Sequence, residues 1–155
     1  MRLIKLALIS FVVFFGIITA MSLAIPSNVR ISKVINLKAG KGDVFPLIAN
    51  QSEWPRWHPA FQEGDMAQTL QQNNITLTPL IVTDTLVTVQ WQQQGRRPVI
   101  NGWQMHTIAG ADSTALQWYM DFSLPWYPWH KFGSLFYEKT YGVMMEQGLE
   151  NLETQ

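Results

Sequence analysis

The chain has 155 residues, 47% of them apolar, with eleven basic and eleven acidic side chains. That length holds one domain plus a small appendage, and the balanced charge leaves no basic footprint for nucleic acid. With no cysteine, disulfides, thiolate metal sites and a cysteine nucleophile are all excluded.

Residues 6–25 are twenty consecutive uncharged, mostly apolar residues behind Arg2 and Lys5. As a helix they span a hydrocarbon core of about 30 Å. The positive flank keeps the N-terminus cytoplasmic, which puts everything after Pro26 on the extracytoplasmic side. Ser22, Leu23 and Ala24 offer a small-x-small cleavage pattern for a signal peptide. The spanning length and the bulky run at 11–15 favour an uncleaved single-pass anchor over residues 1–25. The remainder carries nine basic and eleven acidic side chains, with no polybasic patch to hold a membrane surface.

From residue 29 to 37 the chain alternates, with Val29, Ile31, Lys33, Ile35 and Leu37 on one face of a first strand. Asp43 is a plausible N-cap for a short helix through residue 50, with Pro46 in its first turn. The run 52–59 reads as a second helical turn that packs Trp54 and Trp57 on a sheet. Residues 62–74 are polar, with a weak edge strand expected at 66–70. A strand follows at 74–82, where Pro79 calls for an edge or a bulge. The next, 85–92, sets Val87, Val89 and Trp91 on one face. Residues 99–108 set Val99, Trp103 and Met105 inward, with Asn101 between them. The last strand, 114–122, shares Leu116, Trp118, Met120 and Phe122. Strand spacing and short turns fit an antiparallel meander. An aromatic, proline-rich loop at 124–131 leads to a helix from Phe132 to Leu152, whose Gly142 and Gly148 suggest a close approach or a bend.

Val44, Phe45 and Pro46 through Ala49, followed by Trp54, Pro55, Arg56 and Trp57, resemble the opening of the polyketide cyclase/dehydrase-like branch of the START-related (SRPBCC) superfamily. Residues 116–120, 126–129, 131–133 and 148–152 resemble that branch too. The resemblance covers residues 28–152 and implies an α+β helix-grip fold of the START/Bet v 1 kind. In it a curved antiparallel sheet wraps a long C-terminal helix over an apolar cavity, here preceded by one transmembrane helix. Members bind lipids, sterols, polyketides or other apolar molecules, and a minority catalyse cyclisation or dehydration. The region 61–74 lacks the glycine-rich strand pair of that pattern.

No residue set announces a chemistry. The three histidines, His58, His106 and His130, lack the spacing and carboxylate partner of a metal site, so no metal or cofactor is expected. His58, beside Trp57 at the expected cavity edge, is the best general-base candidate, and Glu138 or Glu146 could face the cavity as a buried acid. His106 and Asp121 are expected on outward faces. Tyr119 and Tyr141 could donate to a ligand carbonyl. There is no nucleophile elbow, P-loop, dinucleotide fingerprint or zincin motif.

The aromatic set is the remaining signal, since seven tryptophans are many for one small core. The expected ligand-binding residues are Trp57, His58, Trp91, Trp103, Met105, Trp118, Met120, Trp126, Trp129, Phe132 and Phe136, with Phe132, Leu135 and Phe136 as a lid. The leading expectation is a membrane-anchored, exported binding module for an apolar small molecule or lipid. The alternatives are a cyclase- or dehydratase-type enzyme using His58 or a helix carboxylate, and an envelope interaction domain that uses the loop 126–129 as its anchor.

Overall fold

The computed structural model describes residues 2–62, 64–108 and 112–155. Helix α1 (Arg2–Leu23) is exposed almost throughout, and its best window has a mean hydropathy of 2.5. At 1.5 Å per residue its 22 residues reach about 33 Å, long and apolar enough to cross a membrane.

The chain then enters β1 (Asn28–Leu37), α2 (Lys41–Ala49), a 3-10 turn (Gln51–Glu53), α3 (Trp54–Trp57), a second 3-10 turn (Pro59–Phe61) and α4 (Met66–Gln72). Strands β2 (Ile75–Val82), β3 (Leu86–Gln93), β4 (Val99–Thr107) and β5 (Thr114–Ser123) follow. They form one curved five-stranded sheet in the order β1-β5-β4-β3-β2, with every pairing antiparallel. The meander β2 to β5 is closed by β1, which crosses from the other end of the sequence. The turn 110–113 expected before β5 falls partly outside the described residues.

Two local expectations are corrected. Gly40, not Asp43, caps α2; Asp43 sits in its first turn, where its charge suits the helix N-terminus. Residues 66–70 are helical rather than a strand, because the Asp65 carboxylate accepts from Ala67 N at 2.9 Å and nucleates α4. Met66 and Leu70 then fall one turn apart on the side that packs against the core. Pro79 occupies the edge strand, and the β2–β3 register shifts between Pro79 and Ile81.

The last strand leads into α5 (Pro128–Ser134), which starts inside the segment expected to be irregular, with Pro128 in its first turn. The C-terminal helix therefore begins near Tyr137 and not at Phe132. It opens with one π turn (Glu138–Gly142) and continues as α6 (Val143–Glu153). Both glycine expectations have a physical counterpart. Gly142 ends the π turn beside the Lys33 side chain, and a Cβ on Gly148 would lie 2.7 Å from the Trp118 ring.

Gly133 differs, since nothing lies within 4 Å of its would-be Cβ. Gly133→Ala in α5 should therefore raise stability by about 0.5–1 kcal/mol through helix propensity alone. A thermal melt of the full chain in detergent checks this.

Candidate functional site

Side chains from alternate positions of the five strands form the inner face. The register sets Lys33, Trp118, Trp103 and Val87 in one row across the sheet, and Ile31, Met120, Asn101 and Val89 in the next. Phe122, Val99 and Trp91 belong to a third row. Over this face lie α2, α3 with its flanking 3-10 turns, and α6, which contributes Met145, Leu149 and Leu152.

The space between sheet and helix is filled by rings. Trp54, Trp57, Trp103, Trp118 and His58 are all 0% exposed, and Phe61 is 1%. His58 is the hub, its ring centroid 4.9 Å from Trp118, 5.0 Å from Phe61 and 5.3 Å from both Trp57 and Trp91. Trp54, absent from the expected ligand-binding set, sits at the centre, 5.2 Å from Trp103. Its position follows from its hydrogen bond. Trp54 Nε1 donates to Ile48 O at 2.9 Å and Trp57 Nε1 to Leu47 O at 2.9 Å, so the end of α2 steers both indoles downwards. Asn151 of α6 closes the layer by donating to Trp57 O at 3.2 Å.

The polar atoms in this cluster are biased one way. Trp118 Nε1 donates to Asn101 Oδ1 at 3.1 Å, which leaves the Asn101 amide nitrogen free. His58 Nδ1 accepts from Ala60 N at 3.2 Å, which makes Nε2 the protonated nitrogen of a neutral imidazole. His58 Nε2, Trp91 Nε1, Trp103 Nε1 and Asn101 Nδ2 have no partner among the described residues. All four are donors. Leaving a buried donor unpaired costs about 1–3 kcal/mol each, a large sum against an ordinary domain's stability.

The same environment keeps the imidazole neutral. Burial lowers the His58 pKa from 6.5 to about 3, with its own backbone hydrogen bond opposing only weakly. No Asp or Glu is among the buried polar residues described, so the imidazole has no acid to relay a proton. Glu138 and Glu146 are not buried acids. Each lies 2.7 Å from Lys33 Nζ, with side chains 59% and 54% exposed. Lys33, an apparent misfit on the apolar face of β1, is thereby the clamp that ties the π turn and α6 to the sheet. His106 is exposed and Asp121 pairs with Arg30 on the outer face at 2.6 Å, as the alternation indicated. Among the described residues no group of His, Cys, Asp and Glu could hold a metal ion.

Of the expected ligand-binding residues, the structure brings Trp57, His58, Trp91, Trp103, Met105, Trp118 and Met120 together within the core. It does not bring the loop and lid to them. Trp126 and Trp129 are 63% and 59% exposed, and Leu135 and Phe136 also lie on the surface. Phe132 is half-buried in α5. The helix break at 135–136 explains this, because it turns α5 away from the inner face. Open clefts occur among the described residues. One of about 410 Å³ lies at the β1–β5 end around Val29, Arg30 and Phe122. Another, of about 450 Å³, lies between α4 and the β2–β3 edge, lined by Leu70, Ile75, Thr76 and Gln92.

No family model and no curated protein matches the sequence. Solved structures do match the fold. A START superfamily protein from Mycobacterium smegmatis aligns with TM-score 0.55 at 16% identity, over 81% of this chain and 94% of its own. The fold is START-like. The di-domain ARO/CYC protein StfQ from the steffimycin biosynthetic pathway matches with TM-score 0.59 at 5% identity, over 82% of this chain and 50% of StfQ. An uncharacterised protein from Bacillus thuringiensis matches with TM-score 0.57 at 11% identity, over 81% of this chain and 97% of its own. At these identities the START-like helix grip is shared and nothing finer. The space between this sheet and α6 is occupied by the protein's own rings.

Proposed function

We propose that residues 28–152 form a binding module for an apolar or amphipathic small molecule that carries an oxygen acceptor, held outside the cytoplasm by residues 1–25 as a single membrane span. The observation that carries this reading is the set of four unpartnered donors from His58, Trp91, Trp103 and Asn101 inside an otherwise aromatic core. An apolar ligand with a carbonyl or carboxylate, such as a fatty acyl or polyketide-like molecule, offers both the surface and the acceptor those groups match. Trp91 is the half-buried member of the set, and the β2–β3 side of the core is therefore the side from which a ligand would enter. Entry requires the α3 segment with its rings to shift outwards, which is a change of packing within one fold.

Catalysis is not part of this reading, because a neutral, deeply buried imidazole with a pKa of about 3 is a poor base near pH 7. Native mass spectrometry of the full chain in detergent, incubated with oleate and with a polycyclic aromatic ketone, tests the proposal. A one-to-one complex with either probe is expected. Trp103→Phe keeps the ring and removes one donor, so it should weaken binding about tenfold, the equivalent of about 1.4 kcal/mol. No complex with either probe, or undiminished binding by Trp103→Phe, would falsify it.

A further inference from the structure

The loop between β5 and α5 and the turn between β3 and β4 meet at one end of the sheet. Arg97 Nη1 reaches Leu124 O at 3.5 Å across that end, and Arg96 lies beside it in the turn. This is also the end where α1 leaves the domain. Lys131, only 5% exposed, extends from α5 to donate to Ile25 O at 2.8 Å, and Leu124 N donates to Ser27 O at 2.7 Å. Lys131 thereby satisfies a carbonyl just past the end of α1, where the helix no longer supplies a backbone donor. These ties fix α5 against the last residues of α1.

The surface so placed is unlike the rest of the domain. Trp126, Trp129, Leu135 and Phe136 are 63%, 59%, 64% and 67% exposed. Tyr127 stacks on Trp129 with centroids 5.0 Å apart. The segments 122–137 and 85–106 carry Arg96, Arg97 and Lys131 and no acidic residue, and the flanking Asp121 and Glu138 are paired with Arg30 and Lys33. Rings with one polar edge, joined by arginines, match the chemistry of the headgroup layer, where Trp and Tyr concentrate and each basic residue gains from anionic lipid.

We propose that the loop 126–129, α5 and the Arg96–Arg97 turn form a lipid-facing rim that seats the domain on the headgroups of the bilayer its own α1 enters. The inference rests on reading α1 as a membrane span. If α1 spans, the level of Leu23 to Ile25 is the interface, and the rings tied to Ile25 stand at that depth.

Because the chain has no cysteine, single cysteines can be introduced and spin-labelled in the full chain, reconstituted into phosphatidylcholine–phosphatidylglycerol vesicles. Labels at Trp129→Cys and Leu135→Cys should be relaxed more by oxygen than by a water-soluble nickel chelate, giving an interfacial depth. A label at Asp84→Cys, in the β2–β3 turn at the far end of the sheet, should read as aqueous. A label at Gly16→Cys should read as deep in the hydrocarbon. Aqueous readings at both 129 and 135 with a deep reading at 16 would overturn the rim and leave the span intact. Shielding of 129 and 135 from both reagents would mark a protein partner and also overturn it. An aqueous reading at 16 would instead remove the span itself.

Discussion

Acidification from pH 7 to 4.5 should lower the stability of the domain by about 2.5 kcal/mol, with a slope that approaches about 1.4 kcal/mol per pH unit once the pH is well below 6.5. The cause is His58, whose pKa is held at about 3 in the folded state against 6.5 when unfolded, because the ring cage desolvates its charged form. A folded pKa below the unfolded one means that the unfolded chain takes up the proton first. Stability is therefore complete above pH 6.5, declines as pH falls, and stops declining from this source near pH 3. Urea unfolding of the full chain in detergent, followed by far-UV circular dichroism at pH 7 and pH 4.5, measures the drop. His58→Phe keeps a ring in the cage but cannot titrate, and its midpoint should move little between those two pH values. An equal drop in both proteins would mean that surface carboxylates, and not His58, govern the acid limb.

Gly148→Ala should destabilise the domain by about 1–3 kcal/mol, although alanine is the better helix former by about 1 kcal/mol. Packing wins because the added methyl would sit 2.7 Å from the Trp118 ring and 2.9 Å from Pro59 Cδ, and neither can yield. Trp118 is fully buried, pinned by its bond to Asn101 and pressed by Trp57, His58 and Trp103. Pro59 is a rigid ring. Trp118→Ala alone is expected to cost about 3–5 kcal/mol, since it opens a cavity in the centre of the cluster and frees the Asn101 carbonyl. Combined with Trp118→Phe, Gly148→Ala should lose most of its penalty, because the smaller ring makes room for the methyl. Thermal melts of the two single variants and the double variant measure this coupling. Additive losses would show that α6 can shift away from the sheet.

The strands were legible because each buries one face, and period-two alternation records that directly. Val87, Val89 and Trp91 on β3 and Leu116, Trp118, Met120 and Phe122 on β5 fell where the alternation put them. The start of the final helix was less legible, since Phe132, Leu135 and Phe136 continue an apolar spacing that the backbone interrupts at 135–136. Nothing in residue type separates rings that face a helix groove from rings that face outwards. That is why the expected lid proved to be surface. The region 66–72 misled for a different reason. Its helix depends on the single Asp65 cap, a short-range signal that polar neighbours obscure. The four unpartnered donors could not be read in advance, because whether a strand indole meets an acceptor depends on how α2 and α3 seat on the sheet after folding. Lys33 could have been. A lysine inside an apolar alternation needs carboxylates opposite, and Glu138 and Glu146, eight residues apart, share one side of a helix.

The edge strand β2 would acquire a particular meaning if α1 tethers the domain to a bilayer, as proposed above. Molecules confined to a plane collide far more often than the same number in solution, and an open strand edge is the common way for folded domains to stick to one another. The outer half of β2 carries exposed Leu80, Ile81 and Val82, the residues such pairing would use. Pro79 removes a backbone donor just before them, and the register shift between Pro79 and Ile81 skews the remaining ones out of a straight ladder. A neighbouring copy arriving at this edge finds no continuous row of donors and acceptors to extend. The irregularity that looked like a flaw in the sheet is a barrier to edge-to-edge pairing, and it would count most for copies crowded into one bilayer.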